Sequence, residues 1–586
     1  MSMDKAAEKQ HPLHLPEVLF QVALYLDAKD VLACSLVSRT SYSAFAPYVW
    51  RNLHIGLHPS QHTTLRHQDP FARFISIKTQ VCDNQEQNQL SEEGQPSEED
   101  SLSQVLQRAA PWIRSLFIHG HYSTHQLKFG ERCTMLESLS IEGPPLNDKF
   151  DTTYWDNCKA LVRQNSAHLR SLTMMHWGRS CRGRKLPKWS PLSECVQHRN
   201  LRSLRIQGGS FRDQQWASYW KIFENLESLT LEFIHLAPPP SIASEFPQLR
   251  TLALHQLTTE PLHQLDWIIR ICPMLQTLVW TLGPTTRFPV QFTHYFVELT
   301  WPELESITIK GHRDHMSHED YISILQATQR PFKILDLKIQ FLPPDLFDLL
   351  RQSHFKTLTK VDLFSAVAIP QCVQEVLESC PLLEHLAATV ITAQDIINGK
   401  PWLCLGLKEF KVMINMGFGR TKLDRGAKRP KFSESEQGLC HAVFEQLGRL
   451  EQLRVLDLRR HYWFTDMRAY FPLPLELRLG LGQLSRLEDI EVIGFYGSQD
   501  LRMTDLEWML RSWRYLIAVY GDQLSRKRSG TFENEYVRNH KLASMLKSRG
   551  VQFQTHESDT KTRGLVGSWA RLLYDTESES EGEVEK

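Results

Sequence analysis

The sequence predicts an α/β solenoid, a stack of about fourteen strand–helix repeats, preceded by a small three-helix module. Three observations carry that reading. A short apolar spacing recurs along most of the chain, prolines stand just ahead of many copies, and the N-terminal residues 11–55 lack the repeat. At roughly 150 residues per domain, a chain of 586 residues suggests about four separate domains. A repeat of fixed period replaces that expectation with one continuous stack.

The spacing is apolar-x-x-apolar-x-apolar. Copies begin at Ile113, Leu136, Leu169, Leu201, Leu226, Leu249 and Leu275, then at Leu304, Phe332, Leu358, Leu383, Leu407, Leu453 and Leu487. Most neighbours are 23 to 29 residues apart, the period of leucine-rich repeats. The last two apolar positions alternate with polar ones, as a half-buried strand requires. The first position closes the same core. Helix-like stretches such as Leu262 to Ile271 and Val373 to Leu377 return the chain. Phe246-Pro247, Cys272-Pro273, Trp301-Pro302 and Cys380-Pro381 end those returns, because proline disfavours helix at and before its own position. One repeat cannot bury its own apolar face, so stability comes from stacking.

Beyond the last copy, Asp505 to Gln523 and Glu535 to Lys547 read as amphipathic helices, with Val551-Gln552-Phe553 as a closing extended piece. Insertions follow Met174 (Gly178 to Lys188), Val412 (Gly417 to Lys431) and Leu458 (His461 to Leu481). In a solenoid such insertions map to loops on one face. The expected organisation is a helical module at 11–55, a linker with an acidic segment at 56–101, repeats with a C-terminal cap at 102–556, and an acidic disordered tail at 557–586.

Residues 11–55 read as three short helices. The first opens on Leu15-Pro16-Glu17-Val18-Leu19 and runs through Val22, with Pro16 in the first turn, where its missing donor costs nothing. Asp27 is placed to cap a second helix over Lys29 to Val37, and Ser38 a third that runs toward Trp50. So small a module buries little apolar area and leaves some for a partner. Leu15-Pro16-Glu17-Val18-Leu19, Tyr25-Leu26-Asp27, Leu32, Val37-Ser38-Arg39 and Trp50 together resemble an F-box. Thr40-Ser41 stands where F-boxes usually carry bulkier residues.

The resemblance implies docking to a Skp-family adaptor of a cullin-RING ubiquitin ligase. Leu15, Pro16, Leu19, Leu26 and Leu32 would dock, and Trp50 would pack at the module's end. An F-box followed by leucine-rich repeats is the layout of a class of substrate receptors of Skp–cullin–F-box ligases. Asp505-Leu506-Glu507-Trp508-Met509-Leu510 is similar to fungal members of that class. The implied role is a non-catalytic subunit whose solenoid presents a protein substrate for ubiquitination. A non-degradative repeat scaffold and a receptor completed by a small ligand remain as alternatives.

The outward strand positions form the predicted concave face. Early repeats place hydroxyls there (Ser115, Ser138, Ser171, Ser203, Ser228, Thr251, Thr277), and later ones mixed charge (Asp336, Lys338, Asp362, Lys411, Asp457, Arg459, Glu491). Tyr462, Trp463 and Phe464 follow the strand at Leu456–Leu458, and aromatics beside charges resemble a binding hot spot. The candidate substrate contacts are Lys411, Asp457, Arg459, Tyr462, Trp463 and Phe464.

Charge and cysteine content exclude other classes. Lys plus Arg and Asp plus Glu both number 67, which argues against nucleic acid or an anionic membrane as main partner. The sequence shows neither a membrane-length apolar run nor an apolar secretory stretch in Met1 to Gln10. Eleven cysteines without a CxxC pair read as reduced, mostly buried thiols of a cytoplasmic or nuclear protein. No phosphate loop or nucleophile elbow appears, and no cofactor is expected. The histidines at 312, 315, 318 and at 119, 121, 125 read as loop residues rather than metal ligands. The basic stretches Arg179 to Lys188 and Arg425 to Lys431 read as solvated loops, with nuclear import through Lys428 to Lys431 the alternative.

Overall fold

The structure, a computed structural model, describes residues 16–23, 26, 28–55, 73–75, 108–118, 132–142, 152–175, 199–211, 221–236, 245–257, 271–281, 301–310, 318–328, 330–337, 342–363, 370–418, 432–459, 471–495, 502–521 and 544–555. Leu15, Asp27, the acidic segment and tail, the basic insertions, Tyr462, Trp463, Phe464 and the predicted helix over 262–270 lie outside the described residues. The same holds for all the singled-out histidines except His318, which starts the helix His318–Ala327 rather than sitting in a loop. The chain forms two compact units, Met1–Pro273 and Met274–Lys586.

In the first unit, helices α1 (Pro16–Ala23), α2 (Ala28–Ser35) and α3 (Arg39–Val49) precede strands β1 (Asn52–Ile55), β2 (Arg73–Ile75), β3 (Ser115–Ile118) and β4 (Ser138–Glu142). Then follow β5 (Ser171–Met175), β6 (Ser203–Phe211), β7 (Ser228–Leu236) and β8 (Thr251–His255). They pair in parallel in the order β2-β1-β3-β4-β5-β6-β7-β8. The second unit holds β9 (Thr277–Thr281), β10 (Ser306–Lys310), β11 (Ile334–Leu337), β12 (Lys360–Leu363) and β13 (His385–Thr392). It continues with β14 (Glu409–Asn415), β15 (Val455–Asp457), β16 (Val492–Phe495), β17 (Ala518–Gly521) and β18 (Gln552–Thr555), paired in parallel in chain order. These are leucine-rich repeats.

One backbone device stacks the repeats. The residue after the first apolar position and the start of the strand both donate to one carbonyl of the repeat before. Glu137 and Ser138 donate to the Arg114 carbonyl, and Arg170 and Ser171 to that of Glu137. In the second unit Lys408 and Glu409 donate to Glu384, and Arg454 and Val455 to Lys408. Where opposite charges fall at the donor positions of neighbouring repeats they meet, as Arg114–Glu137, Arg202–Glu227, Lys333–Glu305, Lys408–Glu384 and Arg454–Glu491. These exposed pairs are worth about 0–1 kcal/mol each, so they help set register more than stability. Three residues before many of the first apolar positions a further buried side chain closes the turn. Cys133, Phe223, Phe246, Cys272, Trp301, Cys380, Cys404 and Trp513 stand there. Four of the described cysteines are thus core filler, and burial pushes the thiols of Cys133 and Cys404 up to about 12.

The same device corrects three expectations. Arg51 accepts from both Arg114 and Ser115, so Trp50-x-x-Leu53-x-Ile55 is itself a repeat, fused directly to the end of α3. The sheet therefore starts at β1 and includes β2, ahead of residue 102 where the recognised copies begin. Second, the last copy is slipped by three residues. Ile493, not Ile490, pairs with Leu456 and Val519, and Glu491 moves from the open face to the stacking position. Apolar residues at 487, 490 and 493 fit both registers, and only pairing chooses between them. Third, the helix expected over Asp505 to Gln523 stops at Ser512, and Ala518–Gly521 is a strand. Trp513 ends that helix because it is needed in the core, where its Nε1 donates to the Leu484 carbonyl at 3.3 Å.

Two repeats use a side chain to tie the end of the return helix to the start of the same repeat. Asn165 Oδ1 accepts from the Leu136 N–H at 2.7 Å while its Nδ2 donates to the Leu161 carbonyl. In the second unit His354 Nδ1 accepts from the Phe332 N–H at 3.0 Å, against the Phe332 ring. Burial lowers the His354 pKa to about 4, so the ring is neutral when it makes this bond.

Candidate functional site

The helical module folds around Ala23, Val31, Ala44, Phe45 and Val49. Leu19, Leu26 and Trp50 are half-buried against that core, so these three expected docking residues also hold the module together. Pro16 occupies the first turn of α1, and Leu32 lies on α2. Ser38 caps α3 as expected: its hydroxyl accepts from the Ser41 N–H at 3.0 Å. Ser41 also bonds Ser38 through its own hydroxyl, at 2.9 Å, so the small residue at 41 reinforces the cap. The sequence reading quoted Val37 only as part of the F-box resemblance and passed over Leu36, yet the two are the most exposed large apolar residues of the module among the described ones. Leu36 and Val37, in the turn between α2 and α3, are each 78% exposed. A small module that leaves two large apolar side chains in water offers them to a partner. Tyr42 of α3 packs edge-on against Trp112, 5.9 Å away, and joins the module to the repeats beyond the β1 pairing.

In the second unit the open face, turned away from the strand positions that fill the core, carries Asp336, Asp362, Lys411, Asp457 and Arg459 as expected, while Glu491 does not belong to it and Lys338 lies outside the described residues. Glu409 lies between His385 (Nδ1 to Oε1, 3.5 Å) and Lys411 (Nζ to Oε2, 2.6 Å). Burial pushes the Glu409 carboxyl up, but the His385 hydrogen bond and the charge and hydrogen bond of Lys411 outweigh it and hold it at about 2. Asp457 and Arg459 bind each other instead of standing apart. Arg459 Nε and Nη2 donate to the two carboxylate oxygens, both at 2.9 Å, and the guanidinium lies 4.6 Å from the Tyr520 ring centre. Gly494 makes this possible. A Cβ there would run into Asp457 Oδ1, so a larger residue would push the Asp457–Arg459 pair off its path across β16 toward β17. Of the six expected substrate contacts, Lys411, Asp457 and Arg459 share one face, each already paired with an acid or base beside it.

Phe418, Phe432 and Phe471 pack together with ring centres 5.1 to 6.0 Å apart. Asn415 Oδ1 accepts from the Phe471 N–H at 3.1 Å. The described ends of two insertions, those after β14 and β15, are therefore anchored at one place.

The first unit has an open-face network that sequence reading missed. Arg205 Nη2 donates to Glu232 Oε2 and Gln207 Nε2 to Glu232 Oε1, both at 3.0 Å. Gln207, Glu232 and His255 stand side by side on β6, β7 and β8, and all three are buried. Each is followed by a left-handed residue: Gly208 at φ 85°, Phe233 at 53° and Gln256 at 46°. Only the glycine adopts this without strain. A signal existed in the sequence, three polar residues at the same late strand position, but it lies outside the recurring apolar spacing.

Residues 14–56 match the F-box-like family. With the repeats that follow, the chain has the layout of an F-box/leucine-rich-repeat protein, and the match supports an adaptor-docking role for its N-terminal module. No curated protein sequence matches it significantly. Among solved structures it is similar to the yeast Rad7–Elc1 complex, at 12% identity over 78% of this chain and 88% of that one, with a TM-score of 0.40. Further likenesses are to a TLR13–ssRNA13 complex (14% identity, 76% and 62% covered, TM-score 0.26) and a TDR receptor (12%, 72% and 67%, 0.26). At TM-scores under 0.5 none of these bears on what this chain does. Among the described residues no helix is long and apolar enough to cross a membrane, and no group of three or more His, Cys, Asp or Glu is placed to hold a metal.

Proposed function

We propose that the chain is the substrate-recognition subunit of a Skp–cullin–F-box ubiquitin ligase, acting inside the cell without chemistry of its own. The helical module docks the Skp-family adaptor, and the open face of the repeats holds a protein substrate. The observation that carries this reading is the F-box-like match over 14–56, on a module that folds with its own core yet leaves Leu36 and Val37 in water. Direct fusion of Trp50 into the first repeat supports the role, because it ties docking module and repeats together without a flexible tether. In the second unit, the Glu409–Lys411 and Asp457–Arg459 pairs are the contacts proposed for the substrate, together with Tyr462, Trp463 and Phe464.

Co-purification with a Skp-family adaptor tests the reading. The wild-type chain is expected to carry the adaptor, and Leu15→Ala/Pro16→Ala, which spares the core contact of Leu19, to lose most of it. A folded wild-type chain that binds no adaptor sinks the proposal and leaves a plain repeat scaffold.

A further inference from the structure

Arg205 stands apart on the open face of the first unit. Its neighbours in register are Thr173 on β5 and Thr230 on β7, and Ser203 precedes it on the same face of β6. Among the described residues that alternate with the core positions of β1 and β3 to β8, it is the one permanent cation. Its side chain is 45% exposed, while that of its partner Glu232 is 6% exposed. The pair therefore turns its positive end outward and its negative end inward. Glu142, the other acid on this face, sits two strands away on β4, roughly 10 Å at ~4.8 Å per strand, about a Debye length at physiological salt.

The guanidinium is also held in place. Glu232 takes Nη2, and Gln207 fixes the far oxygen of that carboxylate. Nε and Nη1 make no hydrogen bond among the described residues and have hydroxyl-bearing residues on both sides. A guanidinium fixed at one edge loses little side-chain entropy when the other edge meets an acceptor. Arg459 of the second unit differs, since Asp457 takes both its Nε and its Nη2.

We propose that Arg205 is the anchor at which the open face of the first unit takes an aspartate or glutamate side chain from a bound protein segment. Nη1 donates to the carboxylate, and the hydroxyls of Thr173 and Thr230 flank it. The inference deepens the receptor reading by stating the chemistry of the bound segment, and rests on it only for calling that segment a substrate.

The test is fluorescence anisotropy of the full chain with three labelled peptides. One alternates Ser and Glu, the second has Gln for Glu, and the third has phosphoserine for Ser with Gln for Glu. The Ser/Glu peptide is expected to bind. Arg205→Gln should weaken it at least tenfold, and Arg486→Gln in the second unit should leave it unchanged. Arg205→Lys, which keeps the charge but not the fork, should weaken it at least threefold and serves if the glutamine variant fails to fold. Equal binding by Arg205→Gln and wild type, equal binding of the Gln peptide, or binding of the phosphoserine peptide alone would each overturn the proposal. Adaptor co-purification from the same preparations separates the two readings. Peptide binding without adaptor binding sinks only the ligase role, and the reverse sinks only the Arg205 anchor.

Discussion

Leu36→Glu combined with Val37→Glu is expected to lower affinity for a Skp-family adaptor by more than about a hundredfold, with the melting temperature essentially unchanged. Both side chains already stand in water, so replacing them removes almost nothing from the folded module. In a complex each would bury an apolar side chain worth about 1.5–3 kcal/mol, and burying a carboxylate instead adds a desolvation penalty. Together these exceed the ~2.7 kcal/mol that a hundredfold represents. Leu19, Leu26 and Trp50 are poorer probes, because they pack on the module's core and their loss confounds unfolding with lost binding. Calorimetric titration of adaptor into wild-type and doubly substituted chain checks this. Equal affinities would place the docking surface elsewhere.

The second large effect is a pH-dependent loss of stability at His354. Its folded pKa, about 4, lies below the ordinary histidine value of 6.5, because burial disfavours the cation. Between those values the unfolded chain binds the proton and the folded one does not, so stability falls as pH drops from 6.5 toward 4 and loses nothing more from this group below that. The slope approaches 1.4 kcal/mol per pH unit, and the whole effect is on the order of 3 kcal/mol. Asparagine does the corresponding job at Asn165 with no titrating group. His354→Asn should therefore keep the bond to the Phe332 N–H and flatten the melting curve of the second unit against pH. Parallel melting temperatures of variant and wild type from pH 7 to pH 4.5 would refute this account of His354.

These two sites also mark what could be read in advance. Thirteen of the fourteen apolar copies fall in the register the strands adopt, because a stacked repeat reuses one spacing and each copy supports the others. Trp50-x-x-Leu53-x-Ile55 obeys the same spacing and was hidden only by Trp50's second role, ending α3. β18 was legible as an extended piece but not as a repeat, since Gly550 stands where the first apolar residue would be. The Ser38 cap was readable because it is local chemistry. The direction of Leu36 and Val37 was not, because the helix ends at Ser35 and the way a turn points its side chains depends on how the flanking helices pack. The Arg205–Glu232–Gln207 bracket was likewise hidden, since it joins side chains of successive repeats at a strand position outside the recurring apolar spacing.

The measurement that tests the central claim most directly is hydrogen–deuterium exchange of the full chain with and without a purified Skp-family adaptor. Protection gained across α1 to α3, strongest around Leu36 and Val37, with the repeats from β3 onward unchanged, is the predicted result. Unaltered exchange in residues 16–49, or protection confined to the repeats, would contradict it.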